Sequence, residues 1–234
     1  MNGGDRRSRL LRLAAGAAFL ALAAVLVLIV ITAAGSGDGG DTNIEDKAAV
    51  ARLLDGIPQR QMTLGDPKAP VELIEFGDLQ CPVCATYSEE VLPEVMETRV
   101  RKGKVKIDFR NLTIIGPESV AAGAAALAAG TQGRGWSFVD LFYRNQGDEN
   151  SGYADDDAFL KAIAKAAGVR NLAKWNAERA EMTTKVEETS QEAANLGFDG
   201  TPSFAIKGPQ TGGIKLLGFP ESAGDLEAAI EEAH

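Results

Sequence analysis

The sequence predicts an α/β fold that carries a long helical insertion and is preceded by one N-terminal transmembrane helix. Residues 13–34 are uncharged and mostly apolar, over a length that can cross a bilayer. Strand-like runs occur at 71–76 and 105–109, and again at 203–206 and 214–217. Residues 117–195, between these two pairs of strands, have an almost wholly helical pattern. The helices therefore interrupt the sheet-forming part of the chain.

The N-terminal segment has the charge pattern of a membrane anchor. Residues 1–12 contain four arginines and one acid, whereas acidic residues follow the apolar stretch of 22 residues. A helix of that length spans about 33 Å, against a hydrocarbon core of about 30 Å. The positive-inside rule makes residues 1–12 a cytoplasmic tail and places the globular part outside the cell membrane. A signal peptide cleaved near Ala33 and Ala34 is the alternative, although signal segments are usually shorter.

Residues 35–43 are glycine-rich and polar, which predicts a flexible linker. The globular domain is expected to cover residues 44–234, beginning with a short helix at 44–54. The strand at 71–76 is bounded by Pro70 and Gly77. Apolar residues at helical spacing follow Cys81, and Pro93 is expected to kink that helix rather than end it.

The second half of the domain follows from the same kind of pattern. Residues 105–109 alternate apolar with polar side chains and predict a second strand. The insertion divides into an alanine-rich segment (119–131), an aromatic one (136–143), one that opens with three aspartates (155–157) and a long one (171–195). Two strands and a final helix at 221–232 close the domain.

Composition excludes several classes of function. The net charge is −9, and it is −12 once the first twelve residues are set aside, with no basic cluster after them. Nucleic-acid binding is therefore not expected. The chain has two cysteines and one histidine, His234, so it cannot supply a Cys-His or Ser-His pair or a four-ligand zinc site from those residues. No metal or cofactor is expected.

The reactive candidates are the two thiols of Cys81-Pro82-Val83-Cys84, between a predicted strand and a predicted helix. With Cys81 as the N-cap, Pro82 takes the first helical position, where its missing N–H matters least. The Cys81 sulfur then faces unpaired N–H groups and the positive end of the helix, which favour a thiolate. Cys84 lies one turn further, about 5 Å away at Cα, within reach of a disulfide.

Three other interpretations of the pair stay open at this point. Half of a zinc site would need a second pair of ligands from another chain. Two unrelated buried thiols would tend to oxidise when they lie this close together outside the cytoplasm. A purely structural disulfide would close a very small loop and would stabilise the fold only weakly.

Two segments carry a resemblance to a known family: residues 75–84 (EFGDLQCPVC) and residues 200–204 (GTPSF). Over residues 58–234 the chain resembles the membrane-tethered, DsbA-like thiol:disulfide oxidoreductases of bacteria. The resemblance implies a thioredoxin-like fold with a helical insertion. It also implies an enzyme that introduces disulfides into secreted or extracytoplasmic proteins.

The resemblance assigns roles to individual residues. Cys81 is the nucleophile, Cys84 the resolving thiol, and Pro202 a cis proline that faces them. The backbone of Thr201 would pair with an extended substrate peptide, since a proline cannot donate an N–H there. Glu75 matches the buried acid that handles the Cys84 proton, and an edge-exposed strand carboxylate is the alternative.

Two further positions beside the thiols have expected roles. Asp78 is either a loop acid that serves the site or a turn-forming aspartate. Val83 departs from the strongest oxidants of the family, which carry histidine between the cysteines. Valine offers the Cys81 thiolate no charge, so only the helix end and backbone donors remain. Dithiol potentials run from about −270 mV to about −120 mV, and we expect one inside this range rather than at its oxidising end.

Reaction direction and partners follow from the predicted location. Reduced or unfolded secreted proteins are the expected substrates, since oxidation is the usual need outside the cytoplasm. A disulfide reductase or isomerase and a non-catalytic, tethered peptide-binding module are the alternatives. With two cysteines the chain has no internal relay. The resemblance implies a membrane quinone-linked thiol oxidoreductase that reoxidises the pair.

Overall fold

The computed structural model describes residues 43–234. The predicted cytoplasmic tail, transmembrane helix and all but the last residue of the linker lie outside the described residues. Within residues 43–234, no helix is both long enough and apolar enough to span a bilayer.

A six-stranded mixed sheet forms the centre of the domain. Its order is β1-β2-β4-β3-β5-β6, in which β3 and β4 are parallel and every other neighbouring pair is antiparallel. The strands are β1 (Gln59–Arg60), β2 (Thr63–Leu64), β3 (Val71–Gly77), β4 (Val105–Asn111), β5 (Ser203–Lys207) and β6 (Lys215–Leu216). Strand β3 lies inside the sheet between β4 and β5, and six of its seven residues are buried. Buried strands of this kind have near-continuous apolar runs.

Eight α-helices surround this sheet in the described part of the chain. They are α1 (Lys47–Leu54), α2 (Pro82–Glu90), α3 (Leu92–Val95), α4 (Pro117–Gly130), α5 (Gly135–Arg144), α6 (Asp157–Ala166), α7 (Leu172–Leu196) and α8 (Ala223–Ala233), with a π-helical segment (Met96–Val100) after α3. The insertion comprises α4 to α7, as predicted. A capping box of Ser222 and Asp225 starts α8, because each side chain satisfies a backbone N–H of the other residue.

One apolar core and one buried tryptophan join the insertion to the sheet, and a second buried tryptophan joins two helices within the insertion. The Trp175 indole N–H donates to the Ala125 carbonyl at 2.9 Å, which joins α7 to the alanine-rich α4. The Trp136 indole N–H donates to the Met62 carbonyl at 2.6 Å, which joins α5 to the loop between β1 and β2. Small side chains on α4 let its neighbours approach closely, so the insertion packs as part of the same core.

Two local predictions were wrong in detail, and one element was missed. The helix after Cys81 is not a single kinked helix, because α2 ends at Glu90 and α3 begins after Val91. Pro93 has no N–H to donate to the carbonyl four residues earlier, and its ring crowds that carbonyl. The strand predicted at 214–217 is reduced to Lys215–Leu216. The hairpin of β1 and β2 was missed, since two-residue strands leave no periodic signal.

Candidate active site

Cys81 lies where the central strand passes into a helix. Strand β3 ends at Gly77, a short loop follows, and α2 starts at Pro82. Cys81 is the N-cap residue in extended conformation, and its Sγ accepts a hydrogen bond from the Cys84 backbone N–H at 3.3 Å. Pro82 occupies the first turn, as the sequence predicted. Both cysteines are free thiols in the structure.

The two sulfurs differ in acidity. The pKa of Cys81 is lowered from 9.0 to about 6, and the largest cause is the hydrogen bond from the Cys84 side chain. Burial opposes this shift, whereas the Thr201 side chain and the N–H groups of Cys84 and Val83 lower the pKa further towards this value. Burial raises the pKa of Cys84 well above its ordinary value, and the hydrogen bond to Cys81 adds to this. Cys81 is therefore largely a thiolate at neutral pH, whereas Cys84 stays protonated.

Val83 is half exposed beside this pair, with 50% of its surface accessible. Its contribution to the Cys81 thiolate comes from the backbone alone. This agrees with the expectation that valine supplies no charge or side-chain hydrogen bond at this position.

Glu75 is buried below the helix that carries the thiols. It is 1% exposed, and its Oε1 has no hydrogen-bond partner. Burial above all, together with the negative charges of Asp140 and Cys81, raises the pKa of Glu75 to about 8. An edge-exposed position is excluded, because Glu75 pairs with Phe109 of β4 on one side and Phe204 of β5 on the other.

Asp78 has a structural place in the loop before Cys81. Its Oδ1 accepts from the Gln80 N–H at 2.9 Å, and its Oδ2 accepts from the N–H groups of Ile114 and Ile115 at 2.9 and 3.0 Å. Three backbone donors thus surround a fully buried carboxylate. The turn-forming interpretation of Asp78 fits these contacts, and the aspartate also joins the loop after β4 to the loop after β3.

The second sequence segment comes next to the thiols although 120 residues separate them. The Thr201–Pro202 peptide bond is cis. The Thr201 carbonyl oxygen lies 3.4 Å from Cys81 Sγ, where it can accept a hydrogen bond from the thiol. Such an acceptor favours the protonated sulfur, so the low pKa of Cys81 depends on the donors from Cys84 and Val83 and on the Thr201 side chain.

Sequence reasoning missed the residues of the insertion that support the active-site loop. Gln146 Nε2 donates to the carbonyls of Leu79 at 2.6 Å and Cys81 at 3.2 Å. The Tyr143 hydroxyl donates to the Asp78 carbonyl at 3.3 Å. These residues carry no sequence signal, because the loop carbonyls that they bind lie more than 60 positions earlier in the chain.

An exposed aromatic residue lies against α2. Phe219 is 57% exposed, and its ring packs edge-on against that of Tyr87 at 5.9 Å. The Tyr87 ring in turn lies 4.8 Å from that of Phe204, measured between ring centroids, so these aromatic residues join α2 to the strand that follows Pro202.

Across residues 43–234, no cluster of three or more His, Cys, Asp or Glu side chains is arranged to hold a metal ion.

Comparison with known proteins places this arrangement in a family. The family model described as thioredoxin matches residues 58–232, which is most of the chain. The chain belongs to the thioredoxin family. Within this family it is similar to the probable disulfide bond formation protein D of Bacillus cereus, with 32% identity over 152 residues that cover 63% of this chain and 70% of the relative. Disulfide bond formation protein D of Bacillus subtilis is 24% identical over 149 residues, 62% of this chain and 67% of the relative.

Solved structures agree on the fold of this thioredoxin-family protein. Oxidised BdbD of Bacillus subtilis matches with a TM-score of 0.63 and 22% identity, over 76% of this chain and 96% of that one. The α-DsbA1 protein of Wolbachia pipientis matches with a TM-score of 0.63 and 23% identity, over 74% and 89%. The predicted thioredoxin-like fold with a helical insertion is confirmed, as is the prediction of a DsbA-like thiol:disulfide oxidoreductase.

Proposed function

We propose that this enzyme introduces disulfides into reduced extracytoplasmic proteins through Cys81 and Cys84. The opposite shifts of the two sulfurs support this most directly, since the pKa of Cys81 is about 6 and that of Cys84 is well above its ordinary value. A stabilised Cys81 thiolate is a good leaving group and stabilises the reduced form of the pair. Both effects favour donation of the disulfide to a substrate.

The reaction has two exchange steps. A substrate thiolate attacks Cys81 Sγ of the disulfide form, the Cys81–Cys84 bond breaks, and a mixed disulfide forms. The Cys84 sulfur leaves with the electron pair and takes a proton from Glu75, which is protonated at neutral pH. A second substrate thiolate then attacks the substrate sulfur of the mixed disulfide and releases Cys81 as a thiolate. Two electrons pass from the substrate to the cysteine pair.

The substrate lies along Thr201 and Pro202 in this proposal. The Thr201 backbone is next to Cys81 Sγ, and an extended chain that pairs with it would reach the sulfur. Val83 and Phe219 provide exposed apolar surface on the neighbouring helix α2 and beside it. Unfolded chains expose apolar side chains, so such a surface fits them better than a folded protein.

The predicted membrane anchor belongs to this proposal as well. Residues 13–34 would hold the enzyme at the outer face of the cell membrane through a linker at 35–43. The two cysteines of the pair are the whole cysteine content, so their electrons must pass to another protein. We propose a membrane quinone-linked thiol oxidoreductase, because the anchor keeps the enzyme beside it. Membrane fractionation of the full chain and of a form that lacks residues 1–34 tests the anchor.

An oxidative refolding assay tests the activity. The protein is added in its oxidised form to a reduced substrate, and separately in its reduced form to a substrate with scrambled disulfides, with Cys81→Ala as the matched control. An oxidase restores the reduced substrate, and Cys81→Ala does not. Recovery of the scrambled substrate alone would indicate an isomerase. Equal results for the two proteins would indicate a non-catalytic peptide-binding module and contradict the proposal.

A further inference from the structure

Asp140 is a second buried acid close to the redox pair, on helix α5 of the insertion. It is 1% exposed. Its Oδ1 accepts from the Ser88 hydroxyl at 3.3 Å and from Arg144 Nε at 3.3 Å. Its Oδ2 is buried and has no hydrogen-bond partner. An unpartnered carboxylate oxygen in the core is costly, so its presence calls for an explanation.

The contact with Ser88 places Asp140 against the helix that carries the thiols. Ser88 follows Cys84 by four residues on α2, so both side chains lie on the same buried face of that helix. Glu75, on strand β3, also has a buried and unpartnered oxygen. Two acids from different elements are thus buried around the same helix, and the charge of Asp140 raises the pKa of Glu75.

The charged surroundings of Asp140 come from four elements. Arg144, one turn further on α5, lowers the pKa of Asp140, while Glu89 of α2 raises it. Arg144 is in turn shared with Glu89 and with Asp46, just before α1. Glu75 of β3 is the remaining neighbour. Burial is the largest effect and raises the pKa of Asp140 to about 6. Near neutral pH, Asp140 therefore carries the negative charge and Glu75 the proton.

We propose that Asp140 is a positioning residue for proton transfer, whose buried carboxylate keeps the proton on Glu75 until the Cys84 sulfur leaves the disulfide. The O–H bond of Glu75 then breaks, the S–H bond of Cys84 forms, and the Glu75 carboxylate later regains a proton from solvent. This inference rests on the proposed function. It predicts that the influence of Asp140 disappears in acid, where Asp140 is itself protonated and uncharged.

Carboxyl titration in the folded protein tests the coupling directly. With ¹³C-labelled Asp and Glu carboxyl groups, the Glu75 signal should titrate near pH 8 and show a second inflection near pH 6, where Asp140 ionises. The variants Glu75→Gln and Asp140→Asn assign the two signals. In Asp140→Asn the Glu75 midpoint should fall by about one pH unit, as expected when a nearby like charge is removed. A wild-type Glu75 signal without the second inflection would overturn the proposal, even if Asp140→Asn failed to fold.

Kinetics separate this role from a merely structural one. The rate at which the oxidised protein reacts with a small monothiol is followed against pH for the wild type and Asp140→Asn. The two rates should coincide at about pH 5, below the midpoint of Asp140, and the variant should be several-fold slower at about pH 8. A variant that is slower by the same factor at every pH would show a structural effect only and contradict the inference.

The matched control is Asp108→Asn. Asp108 is a partly buried carboxylate of β4 that binds Thr63 and Arg110 instead of the redox site. Its pH profile should follow that of the wild type. Failure of this inference is distinguishable from failure of the proposed function, because Cys81→Ala tests oxidase activity without involving Asp140.

Discussion

Replacement of Glu75 by glutamine is expected to stabilise the reduced protein, and the gain should grow as the pH rises. The pKa of Glu75 is raised from 4.5 to about 8 in the folded protein, mainly by burial. The folded state therefore holds this proton over a pH range in which the unfolded chain releases it. The free energy of unfolding falls as the pH rises through this window, because folding must keep a proton that the solvent no longer supplies. Glutamine has no proton to lose and removes this penalty.

The size of the effect follows from the shift. At about 1.4 kcal/mol for each tenfold change in proton affinity, a rise from 4.5 to about 8 corresponds to about 5 kcal/mol. This value is an upper limit, because relaxation of the site and the unmet hydrogen bonds of the glutamine amide both reduce the gain in stability. We expect a gain of about 3 kcal/mol in the free energy of unfolding. The difference should be near zero or negative at about pH 4.5, and it should level off above about pH 8. Asp140 also has a raised pKa, but it is present in both proteins and largely cancels.

Urea unfolding of both proteins in excess reductant, at a series of pH values, measures the difference. Glu72→Gln is the matched control, because Glu72 lies three residues earlier on the same strand and is partly exposed beside Lys106 and Arg110. Its difference from the wild type should not grow with pH in this range. A Glu75→Gln difference that is constant from about pH 5 to pH 9 would refute the assignment of a buried, protonated Glu75.

Three further predictions concern the thiols and their support. Alkylation of reduced Cys81 by iodoacetamide should follow a midpoint at about pH 6, and a midpoint near that of an ordinary thiol would contradict the proposed leaving group. Gln146→Ala removes the two hydrogen bonds to the carbonyls of Leu79 and Cys81. It should lower the free energy of unfolding by about 1–2 kcal/mol and slow the exchange reaction. Unchanged values in urea unfolding and in the monothiol reaction would show that the loop needs no such support. Val83→His should move the reduction potential of the cysteine pair, measured in glutathione buffers, from inside the range of about −270 to −120 mV towards its oxidising end. An unchanged potential would show that a side chain at this exposed position does not influence the Cys81 thiolate.

The sequence alone was enough for the parts of the site that depend on local order. The proline after Cys81 and the strand before it predict an N-cap cysteine, since a helix start is encoded within a few residues. Helical spacing predicts the insertion, because apolar periodicity survives over long segments. The pairing of Thr201 with the thiols came from the family resemblance, and the distance of 3.4 Å between the Thr201 oxygen and Cys81 Sγ agrees with it.

Tertiary structure alone decided what depends on burial. Glu75 and Glu72 lie on one strand, between β4 and β5, and their side chains are on opposite faces of the sheet. Only Glu75 is buried, because the rest of the domain covers its face fully and the face of Glu72 only in part. From the sequence, Glu75 could be either exposed or buried, because the residue type alone does not show whether a strand carboxylate is covered by other elements. Asp140 and Gln146 gave no signal at all, because their partners are brought to them by packing of the insertion. Desolvation, which raises the pKa of Glu75 and Asp140, exists only once these distant elements have closed around them.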